Sequence, residues 1–166
     1  LNFQEIRLRN WKNFGNTAAL LTDRVFIIGA NAAGKSNLLD AFRFLKDVAN
    51  EAAKGRKGAG GIKKIRNLNA RAPSYIEISV TLLERTEEKT VIWQYTLQFN
   101  AAAGNTEKRD INISLEEIVK GGELIVNRKY SDENEDYLSK QFTLLEQPAM
   151  NVKFRALYEC FRNISY

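Results

Sequence analysis

The hydrophobic positions near the N-terminus first alternate and then run together. Ile6 and Leu8 lie two residues apart among polar neighbours, which predicts an edge-type strand that leads into a turn at Gly15 and Asn16. A continuous apolar run, Val25-Phe26-Ile27-Ile28, follows and stops at a glycine. A run of this kind predicts a strand that is buried on both of its faces.

Beyond Ser36 the apolar residues recur at intervals of three and four, which predicts a helix of about five turns. The residues that share this spacing are Leu38, Ala41, Phe42, Leu45, Val48, Ala49 and Ala52. The sequence therefore predicts a buried strand, a short loop and an amphipathic helix in direct succession.

In the second half of the chain the hydrophobic period falls to two. The alternating residues are Ile76, Ile78, Val80, Leu82, Val91, Trp93, Tyr95, Leu97 and Phe99. With a charged turn at residues 84–89 they predict a hairpin, and antiparallel strands are predicted over residues 75–130. Residues 152–161 have a helical pattern. We expect one domain over residues 1–166, of the α/β class with α+β character, in which the strand-loop-helix unit adjoins an antiparallel sheet.

Positive charge is concentrated in a glycine-rich segment, residues 54–71, which lacks a clear period and is predicted to be a long loop. Residues 52–76 contain no acidic residue and seven cations. Such a loop favours contact with a phosphate backbone, and Lys63, Lys64 and Arg66 are interpreted as DNA-binding candidates. The alternative is a solvated basic loop, since no aromatic side chain lies among the cations to stack on bases.

The amino-acid composition excludes several classes of structural and catalytic site. The chain of 166 residues has one cysteine, Cys160, and no histidine, which excludes an internal disulfide, a Cys/His zinc cluster and histidine-based nucleophilic catalysis. No apolar run approaches the roughly 20 residues needed to cross a bilayer. We therefore expect a soluble protein of the reducing cytoplasm that has no membrane partner, and chemistry that depends on phosphates, metal, lysine or carboxylates.

The loop between the predicted strand and helix matches the pattern G-x-x-x-x-G-K-[ST]. It reads Gly29-Ala30-Asn31-Ala32-Ala33-Gly34-Lys35-Ser36. In this pattern successive backbone N–H groups curl around phosphates at a helix N-terminus, the lysine neutralises the β- and γ-phosphates, and the serine hydroxyl coordinates Mg²⁺. The motif predicts binding of ATP with Mg²⁺. The alternative is an ordinary strand-to-helix turn with a solvated lysine.

The residues on either side of this loop carry a resemblance to a known family. Residues 6–14, 25–29 and 31–42 together resemble the N-terminal lobe of ABC-type ATPases of the RecF, SMC and OLD group. Residues 60–66 and the strand after them resemble the AAA branch of that group, which is found in bacterial nuclease-associated and anti-phage systems. The resemblance covers essentially the whole chain.

The resemblance implies roles for individual residues. The nucleotide-binding residues would be Gly29, Asn31, Ala32, Ala33, Gly34, Lys35, Ser36 and Asn37, with Lys35 as the catalytic lysine and Ser36 as the Mg²⁺ ligand. Arg9 and Lys12 occupy places where the family often puts groups that touch nucleotide, and ordinary solvated charges are an equal alternative. Gln147 is interpreted as a surface residue rather than as the family's magnesium-reaching glutamine.

The family's second lobe carries a signature motif, a Walker B strand and often a histidine switch, none of which occurs in this sequence. We therefore expect a partial ATPase head that binds ATP and hardly hydrolyses it alone. Its partners would be a second head, in a homodimer or as a missing C-terminal lobe, together with DNA and an associated nuclease.

Three other functions remain as alternatives. A non-catalytic scaffold could bind a partner through Trp11, Phe14 or the C-terminal helix. A P-loop kinase or GTPase is disfavoured by the antiparallel strands after the first helix and by the absence of a guanine-specificity motif. The ATPase subunit of a membrane transporter is disfavoured by the continuation Asn37-Leu38-Leu39-Asp40.

Overall fold

The computed structural model describes residues 1–49, 75–101, 111–130, 142–147 and 152–165. In these residues the helices are α1 (Lys35–Ala49) and α2 (Arg155–Arg162), and a 3-10 turn, Val152–Phe154, leads into α2. The strands are β1 (Asn2–Trp11), β2 (Phe14–Leu20), β3 (Ile76–Arg85), β4 (Thr90–Ala101), β5 (Ile111–Lys120) and β6 (Glu123–Lys129). Neither described α-helix has the length and apolar character that a membrane span requires.

The six strands form one antiparallel sheet in the order β2-β1-β3-β4-β5-β6. Each strand after β3 pairs with the strand before it, whereas β1 pairs with both β2 and β3. In the chain, α1 lies between β2 and β3. The sheet therefore places the first hairpin at one edge, beside the helix that follows the P-loop motif.

One face of the sheet is buried, because its strands alternate apolar and polar residues and both helices pack on the apolar face. Helix α1 contributes the stripe Ala41, Phe44, Leu45, Val48 and Ala49. The Phe44 ring lies 5.3 Å from the ring of Trp11 and 5.4 Å from that of Phe99. Phe161 of α2 packs edge-on against Tyr95 at 5.4 Å. The predicted α/β class and antiparallel sheet are confirmed.

The first hairpin turns earlier than predicted. Trp11 pairs with Phe14, so the turn consists of Lys12 and Asn13, which we call the β1–β2 turn, while Gly15 lies inside β2. Lys12 has φ 48°. The prediction placed the turn at glycine because glycine adopts positive φ most readily. Here a lysine adopts it, and both turn residues are held by tertiary contacts, Lys12 with Asp40 and Asn13 with Ala33.

The predicted buried strand before the P-loop is wrong for the described structure. Residues 25–28 are in neither helix nor strand. Phe26 is 85% exposed and Ile28 is 93% exposed. A run of apolar residues shows that a segment is suited to burial, but the burial itself requires a neighbouring strand and covering side chains. Within the described part of the chain no strand pairs with this segment.

The predicted basic loop, residues 54–71, lies outside the described residues, and so do its DNA-binding candidates Lys63, Lys64 and Arg66.

Candidate functional site

The P-loop, residues 29–36, curls tightly onto the start of α1. Two of its residues have positive φ, Ala32 at 64° and Gly34 at 100°. The Ala33 N–H donates to the Ala30 carbonyl at 3.3 Å, and the Leu38 N–H donates to the Gly34 carbonyl at 3.0 Å. A non-glycine residue at positive φ is uncommon and marks a backbone conformation that its surroundings maintain. The loop thus enters the helix without an intervening linker.

The Lys35 side chain folds back over the loop. Its Nζ donates to the carbonyl oxygens of Gly29 and Ala30, each at 2.7 Å. Lys35 is the first residue of α1, and the exposed Ser36 is the second. The first turn of the helix contains no acidic residue. Because the first N–H groups of a helix lack intrahelical partners and carry partial positive charge, this end of α1 suits an anion.

The β1–β2 turn contacts the P-loop through Asn13, a residue that sequence reasoning missed. The Asn13 Nδ2 donates to the Ala33 carbonyl at 3.5 Å, the long end of the hydrogen-bond range, and the Asn37 Nδ2 donates to the Asn13 Oδ1 at 2.8 Å. The Trp11 Nε1 donates to the Asn37 carbonyl at 3.0 Å. These contacts join the first hairpin to the P-loop and to the first turn of α1.

Of the two P-loop glycines, Gly34 has the less room for a side chain. A Cβ added there would lie 2.4 Å from the Asn13 Nδ2, and the φ of 100° is unfavourable for any L residue. We expect Gly34→Ala to lower the free energy of unfolding by about 1–3 kcal/mol. Gly15→Ala is the matched control, because nothing lies within 4 Å of its added Cβ. Urea unfolding of both variants tests this, and equal stabilities would contradict the close approach.

Lys12 and Arg9, the two other nucleotide-contact candidates, have partners within the protein. The Lys12 ammonium pairs with a carboxylate oxygen of Asp40 on α1, whose other oxygen lies 3.0 Å from Arg43 Nη1. Arg9 donates to the Tyr75 hydroxyl, and its guanidinium carbon lies 4.7 Å above the Tyr75 ring. The structure therefore places Lys12 against the P-loop helix, whereas Arg9 contacts the segment that enters β3.

The structure brings most of the predicted nucleotide-contact residues together. The P-loop residues lie in one curled loop, and the side chain of Asn37 points to Asn13. Lys12 lies next to this loop on the β1–β2 turn. Gln147, which was interpreted as a surface residue, is half-buried in a turn where its N–H donates to the Leu144 carbonyl at 3.1 Å.

The chain is similar to known proteins both in sequence family and in structure. A solved structure described as "Structural biochemistry of ATP-driven dimerization and DNA stimulated activation of SMC ATPases" is 17% identical, with a TM-score of 0.48, and the match covers 76% of this chain and 73% of that chain. None of the curated proteins matches the chain. The model of the family described as "AAA domain, putative AbiEii toxin, Type IV TA system" matches residues 24–159. The chain therefore belongs to this AAA-domain family.

Proposed function

We propose that this chain binds ATP with Mg²⁺ through the P-loop. The observation that carries the proposal is the position of the Lys35 ammonium, which lies against the carbonyls of Gly29 and Ala30 at the start of α1. A cation, a helix N-terminus and a curled backbone converge there, and the first turn of the helix adds no carboxylate to repel an anion. Membership of an AAA-domain family supports the same function.

Binding would exchange the partners of the lysine. Two neutral carbonyls accept hydrogen bonds from Lys35, and a phosphate oxygen would form a stronger, charge-assisted hydrogen bond with the same ammonium. The exposed Ser36 fits the role of the metal-binding hydroxyl, since it stands in the first turn of α1 without a competing acidic neighbour in that turn. A bound Mg²⁺ would neutralise phosphate charge there.

Calorimetry of MgATP binding tests the proposal directly. We expect Lys35→Ala to lower the affinity about tenfold or more, because a charge-assisted contact is lost. Lys89→Ala is the matched control: Lys89 lies in the β3–β4 turn, beyond Arg85, whereas the P-loop neighbours the other end of the sheet. Equal affinities of Lys35→Ala and the wild type would contradict the proposal, and absence of binding to all three proteins would favour the scaffold.

We further propose that the chain forms one lobe of an ATPase head of the RecF, SMC and OLD type, which a second head or a C-terminal lobe completes. The apolar segment of residues 25–28 supports this proposal, since it leads directly into the P-loop and has no strand partner within the described residues. A lobe that awaits such a partner would bind ATP with negligible turnover. Phosphate release recorded on the same samples checks this, and robust turnover would contradict it.

Contact with DNA and gating of an associated nuclease belong to the same proposal. The support is the basic composition of residues 54–71, where glycine and seven cations occur without an acidic residue. Contact of that kind would weaken steeply with added salt, because bound cations replace counterions of the phosphate backbone.

A further inference from the structure

The β1–β2 turn holds the P-loop at one peptide group, the one that joins Ala33 to Gly34. From this contact we infer that Asn13 is a positioning residue for the anion site: it orients the Ala33–Gly34 peptide so that the Gly34 N–H faces the bound phosphates. The inference rests on the proposed nucleotide binding and adds the device that arranges the loop for it. Nothing in the P-loop motif itself specifies such a residue, since Asn13 lies 20 residues from Ala33.

The direction of the peptide follows from its planarity. In a trans peptide the C=O and the N–H of the same unit point in opposite directions. The Ala33 carbonyl is directed to the Asn13 Nδ2, at 3.5 Å. The N–H of Gly34 therefore points away from Asn13. Phosphate binding in loops of this type depends on N–H groups that point into the loop, and the proposal places the Gly34 N–H among them.

Because Gly34 is flexible, a contact is needed to hold the Ala33–Gly34 peptide in this orientation. Gly34 has φ 100° and no Cβ, and a glycine of this kind readily adopts alternative backbone conformations. A peptide next to such a residue can rotate so that its carbonyl, rather than its N–H, faces the loop interior. A carbonyl dipole there would repel phosphate. The Asn13 contact lowers the free energy of one of the two orientations.

An asparagine is suited to this role because its amide has a donor end and an acceptor end. Asn37 donates to the Asn13 Oδ1 at 2.8 Å, so the Nδ2 end is turned to the Ala33 carbonyl. Asn37 is in turn fixed by its place in α1 and by its carbonyl, which accepts from the buried Trp11 at 3.0 Å. The hydrogen-bonded chain from Trp11 through Asn37 to Asn13 thus anchors the loop peptide to the protein core.

A double-mutant cycle on Asn13 and Asn37 tests the inference, with MgATP affinity measured by calorimetry. We expect Asn13→Ala to weaken binding about three- to tenfold, the effect of one lost hydrogen bond. Asn37→Ala should weaken it similarly, and the double variant no further, because both residues act through one contact. Asn16→Ala is the matched control, since Asn16 is an exposed asparagine of the same hairpin in β2.

A second readout separates positioning from general stability. The ¹⁵N amide resonance of Gly34, recorded without nucleotide, should shift in Asn13→Ala and in Asn37→Ala and stay unchanged in Asn16→Ala. A wild-type affinity for Asn13→Ala, or losses that multiply in the double variant, would overturn the inference. If the wild type binds no MgATP, the proposed function fails, whereas an unmoved Gly34 resonance in Asn13→Ala overturns the positioning role independently.

Discussion

The wild-type protein is expected to lose stability as the pH rises because of Glu116, and the Glu116→Gln variant is expected not to show this large loss. Glu116 on β5 is 0% exposed. Its carboxylate accepts from the Leu144 N–H at 2.9 Å and lies 3.0 Å from Arg128 Nη1, and the Tyr95 hydroxyl donates to it at 3.3 Å. Burial raises the pKa of Glu116 to about 7, and these three contacts only partly oppose the rise.

The sign of the effect follows from the two pKa values. Unfolded Glu116 titrates near 4.5 and the folded residue near 7, so the folded protein binds the additional proton between these pH values. The contribution of protonated Glu116 to the free energy of unfolding is therefore fully present below pH 4.5 and is lost as the pH rises through 7. The loss amounts to about 3 kcal/mol.

Urea unfolding of the wild type and of Glu116→Gln at several pH values measures the difference. Other carboxyl groups titrate alike in both proteins and cancel when the two free energies of unfolding are subtracted. Relative to that of the wild type, the free energy of unfolding of the variant should increase by about 3 kcal/mol as the pH rises from 4.5 to 8. A difference that does not vary with pH would show that Glu116 is ionised in the folded protein throughout this range.

Truncation of Trp11 to alanine is expected to lower the free energy of unfolding by about 3–5 kcal/mol. Trp11 is 0% exposed, and its ring lies 5.3 Å from that of Phe44. The substitution leaves a cavity between the sheet and α1 and also removes the N–H that donates to the Asn37 carbonyl. The start of α1 therefore loses packing and a hydrogen bond together.

Phe26→Ala is the matched aromatic control for this prediction. Phe26 is 85% exposed, so its truncation should change the free energy of unfolding by less than about 0.5 kcal/mol. Denaturant titration of both variants makes the comparison. A loss in Phe26→Ala as large as that in Trp11→Ala would mean that residues 25–28 are packed against other parts of the protein in solution.

The sequence was sufficient for features that depend on local pattern. The period of three to four predicted α1, and the period of two predicted the strands of the sheet. The P-loop motif predicted that Gly34 permits the backbone to curl before the helix, and its φ of 100° agrees with this. These predictions succeed because spacing and backbone requirements act within a few residues along the chain.

The role of Asn13 could not be predicted in this way, since it depends on a contact with Ala33, 20 residues away. The partners of Arg9 and Lys12 are likewise distant, Tyr75 lying 66 residues from Arg9 and Asp40 lying 28 residues from Lys12. No local pattern carries such information.

Glu116 escaped prediction for a different reason. Ile111, Ile113 and Leu115 alternate with polar residues, and an unbroken alternation would place the odd-numbered residues of β5 on the core face. The register between β4 and β5 shifts at Gln98 and Phe99, where an extra residue of β5 is accommodated. Beyond this bulge the even-numbered residues face the core, and Glu116 is buried with Ile118. A bulge changes the phase of a strand without changing its composition.

The exposed segment of residues 25–28 also bears on how the protein behaves at high concentration. Short β-prone stretches without charge are the usual nuclei of intermolecular cross-β stacking, which typically needs six or seven residues. Here the β-prone apolar run has only four residues, with the charged Asp23 and Arg24 before it and Gly29 after it. Flanking charges act as gatekeepers against aggregation, and glycine is uncommon in segments that stack in this way. The chain can thus present four apolar residues to solvent while its neighbours restrain self-association.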